Sequence, residues 1–380
     1  MENKMTVYFD NAATTKVCKE AADIMMEVMT TSYGNPSSTH HLGREAKKHL
    51  TNAREAVSKA LGCNASEVYF TSGGTEADNW AIFSGAKLMR HKGRHIITTA
   101  SEHDAILKPC QQLENQGWDV TYLMPDEKGC VSVEQVAEAL RPDTALISIM
   151  LVNNETGAIN PIHDIAMLLK RQRSEAVFHT DAVQAFCKIP FTPKELGVDL
   201  CTVSSHKIHG PKGAGALYIK DSLRLPPNTF GGGQEKGWRP GTEAMPAICG
   251  FGKAAEIARN ALRNEPGMFI NIRDYMVTRL AELVPETVFI GGGAPHILSI
   301  SLPGYKSEVL MNFLDRDGIC ISKSSACKKG ARSHVLEAMG LSPKVIDGAI
   351  RISFSRFTTA DEVDYFVEKL AFAVKRLIKV

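Results

Sequence analysis

Seven short apolar runs between residues 67 and 220 limit most strongly how this chain can fold. Near-continuous runs rich in Val, Ile, Leu and Thr are typical of strands buried on both faces of a sheet. They are EVYFTSG (67–73), HIITTA (95–100), DVTYLMP (119–125), TALISIMLV (144–152), AVFHTDAV (176–183), DLCTVS (199–204) and AGALYIK (214–220). Helical or loop stretches separate them, and this alternation predicts an α/β fold with a mostly parallel seven-stranded sheet.

A second, smaller block follows a loop rich in Gly and Pro at 226–246 and a helix expected near 247–283. Its strands are expected near 286–290, 297–302, 318–322 and 349–355, and Thr359 and Glu362 can form a capping box on the last helix. We therefore predict a large domain over 15–255 and a smaller α+β domain that combines 1–14 with 256–380.

Charge and cysteine content exclude several classes of protein. The 44 basic and 42 acidic residues nearly balance, which gives no case for direct binding of nucleic acid. The most apolar run, 145–152, is too short to span a membrane. No apolar signal core opens the chain, and its nine cysteines form no C-x-x-C pair. We expect a cytoplasmic protein with reduced thiols and no metal site.

The carboxyl ends of the predicted strands carry the residues with chemical potential, because ligands bind there in parallel sheets. Gly74 and Thr75 open a helix whose free N–H groups suit a phosphate. His103 follows the second strand, and the buried carboxylate of Asp181 needs a positive partner. Lys207 ends the sixth strand. Each residue alone also has an ordinary structural explanation.

Together these residues supply a phosphate cradle, an aromatic ring, a buried carboxylate and a lysine at one edge of one sheet. Pyridoxal 5′-phosphate requires this set. A lysine holds its aldehyde as a Schiff base, and a carboxylate keeps its pyridine nitrogen protonated. Lys207 is the predicted tether, and Lys212 in GPKGAG is the competing candidate.

Ten motifs give the chain a resemblance that runs essentially from end to end. They are YFDNAATT (8–15), YGNPSS (33–38), TSGGTEADN (71–79), SEHDA (101–105), NNETGAINPI (153–162), HTDAVQ (179–184), SSHKIHGPKG (204–213), RPGTE (239–243), SSAC (324–327) and RISFSRFTT (351–359). In this order they resemble those of the NifS-like cysteine desulfurases, which are fold-type I, class V pyridoxal-phosphate enzymes.

The resemblance implies a role for each matched residue. The catalytic residues would be the Schiff-base Lys207, the ring-stacking His103 and the nucleophile Cys327. Cofactor contacts would come from Gly74, Thr75, His103, Asn154, Asp181, Gln184, Ser204, Ser205, His206, Lys207 and Thr242, with Thr242 reaching the phosphate of the other subunit in a homodimer. The substrate would contact Asn35, Asn154 and Arg351, with Arg351 on its carboxylate. In AIRISFS, Arg351 points away from the face shared by its apolar neighbours, which suits this role.

The sequence around Cys327 supports the role of nucleophile independently. KSSACKKGAR contains four basic residues and no acidic one. A positive, exposed setting favours the thiolate. The resemblance then implies that L-cysteine is cleaved to alanine, that Cys327 carries the sulfur as a persulfide, and that an acceptor protein receives it.

Several alternatives remain open on the sequence. The segment CKKGAR is shorter than the serine-rich loop of the family, and the chain ends soon after its last helix. The acceptor could thus be an iron–sulfur scaffold or a tRNA-thiolation protein. The rival activities are those of a selenocysteine lyase and a class V aminotransferase, and an aminotransferase would not need Cys327. A catalytically silent assembly protein would be expected to lack Lys207 or Cys327.

Overall fold

The computed structural model describes residues 6–323 and 332–379. The strands are β1 (Val7–Tyr8), β2 (Val68–Thr71), β3 (His95–Thr99), β4 (Asp119–Leu123), β5 (Thr144–Ser148), β6 (Val177–Asp181), β7 (Leu200–Ser204), β8 (Gly215–Ile219), β9 (Val288–Ile290), β10 (Ile297–Ser301), β11 (Ile319–Cys320), β12 (Ser322–Lys323) and β13 (Ala349–Ser353). The helices are α1 (Lys19–Thr30), α2 (His41–Leu61), α3 (Gly74–Met89), α4 (Asp104–Glu114), α5 (Val133–Ala139), α6 (Ile162–Arg171), α7 (Pro193–Leu196), α8 (Met245–Asn264), α9 (Met268–Leu283), α10 (Ser307–Asp315), α11 (His334–Ala338), α12 (Pro343–Asp347) and α13 (Ala360–Arg376).

The large sheet contains all seven strands predicted between residues 67 and 220, in the order β2-β8-β7-β6-β5-β3-β4. Five neighbouring strands pair in parallel, namely β7, β6, β5, β3 and β4. Strand β8 pairs antiparallel with both β7 and β2. Every residue of β3, β5, β6 and β7 is buried, as their continuous apolar sequences require. The mostly parallel seven-stranded sheet is therefore confirmed.

The second sheet is antiparallel, in the order β12-β13-β10-β9. The strand expected at 318–322 is in fact two short strands, because the chain changes partner there: β11 pairs with β1, and β12 pairs with β13. The helix expected at 247–283 is also two helices. Pro266 interrupts it, since proline disfavours the helical conformation in the preceding residue, and Glu265 has φ −131° and ψ 69°.

A separate apolar cluster packs against each sheet. The N-terminal Phe9 belongs to the cluster of the second sheet, where its ring contacts Phe354 and Phe366 edge to face. The predicted capping box of α13 is confirmed, with reciprocal bonds between Thr359 and Glu362. This packing of Phe9 agrees with a small domain that includes residues 1–14, and the domain boundaries stay a prediction. No helix within residues 6–323 and 332–379 combines the length and apolarity needed to cross a membrane.

The loop at 226–246 is fixed to the edge of the large sheet by one buried carboxylate. Glu235 accepts hydrogen bonds from Arg54 Nη1 at 2.8 Å and Nη2 at 2.5 Å. It also accepts one from the backbone N–H of Phe70 at 3.0 Å, on the edge strand β2. Glu235 therefore satisfies a donor of the sheet edge and a partly buried guanidinium at once.

Glu235→Ala should lower the free energy of unfolding by about 3 kcal/mol, because it leaves the partly buried guanidinium of Arg54 without its carboxylate partner. Glu235→Gln should cost less, since its amide oxygen still accepts from Phe70. Urea unfolding of both variants measures this, with the exposed Glu127→Ala as the control. If Glu235→Ala is no less stable than the control, the carboxylate does not anchor the loop.

Candidate active site

A cavity of about 350 Å³ opens at the carboxyl ends of the parallel strands. Ten residues predicted from the sequence line it: Gly74, Thr75, His103, Asn154, Asp181, Gln184, Ser204, His206, Lys207 and Arg351. They come from both sheets, from the first turn of α3 after β2, and from the segments that follow β3, β5, β6 and β7. A volume of this size suits a small-molecule ligand.

Lys207 lies in a single 3₁₀ turn directly after β7. Its Nζ atom donates hydrogen bonds to the carbonyl oxygens of Ala12 and Ala13, both at 2.6 Å. Burial, and then the charge of Arg351, lower the pKa of Lys207 to about 7. Lys212 is exposed and does not line the cavity, so the geometry favours Lys207 as the reactive amine.

Two buried carboxylates face the cavity where the sequence predicted one. Asp181 Oδ1 accepts from the N–H of Val183 at 2.8 Å, and burial raises the pKa of Asp181 against the opposing effects of this bond, His103 and Lys207. Asp78, on α3, has an Oδ1 atom without a hydrogen-bond partner. Burial and the neighbouring Asp181 raise the pKa of Asp78 well above its usual range. The sequence contains a signal that could have identified Asp78. It lies four residues after Gly74 and therefore on the same face of α3.

One corner of the cavity presents hydrogen-bond donors, and the acidic residue of its helical turn, Glu76, is paired with Arg239. Gly74 and Thr75 form the first turn of α3, where the backbone N–H groups are free. Ser204 is buried, and its Oγ atom has no partner. Burial, followed by Lys207 and Lys212, lowers the pKa of His206 to about 4, so its ring is neutral. This corner suits an anionic group such as a phosphate.

Arg351 crosses from the second sheet into the cavity. Its neighbours Ile350 and Ile352 are fully buried in the apolar cluster, so the predicted alternation is confirmed. Arg351 donates to the carbonyl of Asn154 at 2.8 Å and pairs with Asp10 at 2.9 Å. Its Nε atom has no partner within residues 6–323 and 332–379, which leaves a donor for a carboxylate. Asp10 belongs to the motif YFDNAATT, but nothing in the sequence alone marks it as the partner of this arginine.

His103 caps the N-terminus of α4, where its Nδ1 atom accepts from the N–H of Ala105 at 3.1 Å. The preceding Glu102 is buried beneath it and accepts from Thr99 and from the N–H of Met150. Burial raises the pKa of Glu102 to about 8. Glu102 was not predicted from the sequence, because a charged residue beside a loop histidine is expected to be exposed.

Three further predicted residues, all within the described part of the chain, do not line this cavity. Ser205 is buried beside it. Its Oγ atom lies so close to Gly210 that a Cβ atom added to that glycine would be only 2.1 Å away. Asn35 is exposed and accepts from the N–H of Ser37 at 2.9 Å. Thr242 is also exposed. Cys327 lies outside the described residues, 6–323 and 332–379. Across strands β12 and β13, Ser322 is the register partner of Arg351.

The low pKa of Lys207 predicts a measurable reactivity. In ligand-free protein, modification of Lys207 by an amine reagent should be half-maximal near pH 7, because only the neutral amine reacts. Arg351→Met should raise this midpoint by removing a positive charge. Asp10→Asn should lower it by removing a negative one. Peptide mass spectrometry across a pH series measures all three, and a midpoint near pH 10 in every protein would contradict the assignment.

Comparisons with known proteins agree with this geometry. The family model Aminotransferase class-V matches residues 7–366. Cysteine desulfurase IscS of Methanosarcina thermophila is 42% identical over 99% of this chain and 93% of its own length. IscS of Dictyoglomus turgidum is 39% identical over 98% and 96%. The solved structure of a NifS-like protein superposes with a TM-score of 0.92 at 39% identity, covering 98% of this chain and all of that one. The chain thus belongs to the NifS-like cysteine desulfurases of the class-V aminotransferase family.

Proposed function

We propose that this protein is a pyridoxal-phosphate-dependent cysteine desulfurase, which converts L-cysteine to L-alanine and carries the released sulfur as a persulfide on Cys327. The observation that carries the proposal is the convergence of Lys207, Asp181 and Arg351 on one cavity. A related solved structure, 34% identical with a TM-score of 0.79 over 93% of this chain and all of that one, is SspA in complex with cysteine. Cysteine therefore suits the scaffold as a substrate.

The residues of the cavity fit pyridoxal 5′-phosphate. Lys207 supplies an amine that is about half neutral near pH 7, because burial and Arg351 lower its pKa to about 7. Asp181 is a buried carboxylate with a raised pKa, and such a group is stabilised in its ionised form by a cationic partner. Ser204 has an unpartnered hydroxyl beside the free N–H groups of α3, where a phosphate would be held. His103 and Gln184 complete the walls.

When bound, the cofactor supplies an electron sink for the bonds at the substrate's α-carbon. The protein's own residues bind and orient the substrate and move its protons. Arg351 binds the substrate's carboxylate through its guanidinium group, which Asp10 and Asn154 hold in place. The amine of Lys207 takes the α-proton, and the two alanine carbonyls that bind this amine fix its position. Asn35 is proposed as a further substrate contact.

Cys327 is the proposed sulfur acceptor within the chain. Its thiolate forms a sulfur–sulfur bond with the substrate as the carbon–sulfur bond breaks, which leaves the persulfide on Cys327 and the carbon skeleton as alanine. Four basic residues in KSSACKKGAR favour the thiolate. The segment begins beside Arg351, the proposed carboxylate anchor, since Ser322 pairs with that residue across the sheet. The chain therefore enters this segment next to the substrate site.

The partners remain proposals. We propose a homodimer in which Thr242 and Ser205 contribute to cofactor binding, Thr242 across the subunit interface. Thr242 is exposed in a loop that also presents Phe230, 83% exposed. The sulfur acceptor is an iron–sulfur scaffold or a tRNA-thiolation protein, in the cytoplasm.

Asp181→Asn should reduce turnover on the order of 100-fold, because the near-isosteric amide cannot stabilise a positive charge. Its free energy of unfolding should change by only about 1 kcal/mol. Asp78→Asn is the matched change on the other buried carboxylate and should reduce turnover far less. Steady-state rates and urea unfolding measure the pair. Equal rates in Asp181→Asn and wild type would exclude Asp181 as the charge partner.

Cys327→Ala should bind pyridoxal phosphate normally but lose persulfide formation and at least about 100-fold of alanine production. Cys320→Ala, on the nearby strand β11, is the control and should keep both. Mass spectrometry of the persulfide and quantification of alanine separate the two variants.

The same assay distinguishes a cysteine desulfurase from a class V aminotransferase and from a catalytically silent assembly protein. A class V aminotransferase would keep its activity in Cys327→Ala and would release a keto acid. A silent assembly protein would form no persulfide even in the wild type. Extra sulfur on another cysteine at an undiminished rate would exclude Cys327 as the nucleophile.

A further inference from the structure

A second, much smaller cavity lies behind the active site and contains unpaired positive charge. Its volume is about 10 Å³, which holds one water-sized particle. Lys188 and Arg356 line it together with the apolar side chains of Ile208, Met268 and Phe269.

Lys188 is 6% exposed, and its side-chain ammonium makes no hydrogen bond or ion pair within the described residues. Its Nζ atom lies 5.0 Å from the centre of the Phe269 ring. Burial, and then Arg356, lower the pKa of Lys188 to about 8. A buried ammonium with only an aromatic ring as partner is unfavourable, because desolvation costs more than a cation–π contact returns.

Arg356 adds a second positive charge rather than a negative one. It also forms no ion pair in the part of the chain that the structure describes, and its guanidinium lies over the ring of Phe357. His209 lines the same cavity and is neutral, because burial and Lys188 lower its pKa to about 3. The thiol of Cys187 is neutral as well, since burial raises its pKa to about 12.

We propose that this cavity binds one monovalent anion of halide size between Lys188 and Arg356. The charge of the anion partly offsets two cations that no carboxylate within residues 6–323 and 332–379 neutralises. The volume of about 10 Å³ favours a monatomic ion over larger tetrahedral oxyanions such as sulfate. The apolar remainder of the lining favours a weakly hydrated ion, such as chloride or bromide.

The position of the cavity gives such an anion a structural role. Lys188 lies four residues after Gln184, Ile208 follows Lys207 directly, and Arg356 lies five residues after Arg351. The anion would thus join three segments that each carry a residue of the active site, and helices α8 and α9 close the cavity through Ala258 and Phe269. This inference is independent of the proposed desulfurase activity.

The test compares thermal unfolding of the pyridoxal-phosphate-loaded protein in sodium chloride, bromide and gluconate at equal ionic strength. Because a ligand that binds only the folded state stabilises it, chloride and bromide should raise the Tm by at least about 2 °C over gluconate in the wild type. Lys188→Met and Arg356→Gln should abolish this difference. The control Lys170→Met, on the exposed end of α6, should retain it.

Lys188→Met should also be at least as stable as the wild type in gluconate, since it removes a buried charge. Bromide soaked into crystals of the wild type should give an anomalous peak in the cavity. A wild type with the same Tm in all three salts would overturn the proposal and indicate that water fills the cavity. A halide effect that persists in both variants would place the anion elsewhere and overturn it equally.

Discussion

The active site depends on the hydrogen bonds of one N-terminal segment, YFDNAATT, which lies between the two sheets. The carbonyls of Ala12 and Ala13 accept from Lys207, which follows a strand of the large sheet. Asp10 pairs with Arg351 of the second sheet. Asn11 donates to the carbonyl of Ser353 at 2.9 Å, on the same strand as Arg351. The segment therefore sets the distance between the candidate amine and the candidate carboxylate anchor.

Buried charge is concentrated where this segment meets the sheets. The interior of a protein penalises an ionised group that lacks a partner, so such groups persist where another ligand supplies one. Asp181, Lys207 and Arg351 all face the same cavity, and each retains some capacity to bind. By contrast, Glu235 and Arg54 are paired with each other and hold a loop. The charged groups of the site thus differ from this structural pair in having capacity left for a ligand.

The sequence predicted the large sheet and most of the site because both depend on local signals. Continuous apolar runs mark the buried strands, and the residues after them must meet at one edge. The second sheet was less predictable, since the chain changes pairing partner between β11 and β12, which a single residue separates. Asp10, Asp78 and Glu102 were missed for a related reason. Their contacts arise from packing between segments distant in sequence, and acidic residues are exposed by default.

The electrostatic coupling of Lys207 to Arg351 gives substrate binding a second consequence. The charge of Arg351 holds the pKa of Lys207 down, and Asp10 and Asp181 act in the opposite direction. A carboxylate bound to Arg351 compensates its charge and so removes part of this depression. The free amine of Lys207 then becomes a stronger base when the substrate is in place than when the site is empty. Because Asp10 already neutralises part of Arg351, it moderates the change. The ion pair that orients the substrate anchor thereby also adjusts the proton affinity of the residue that moves the proton.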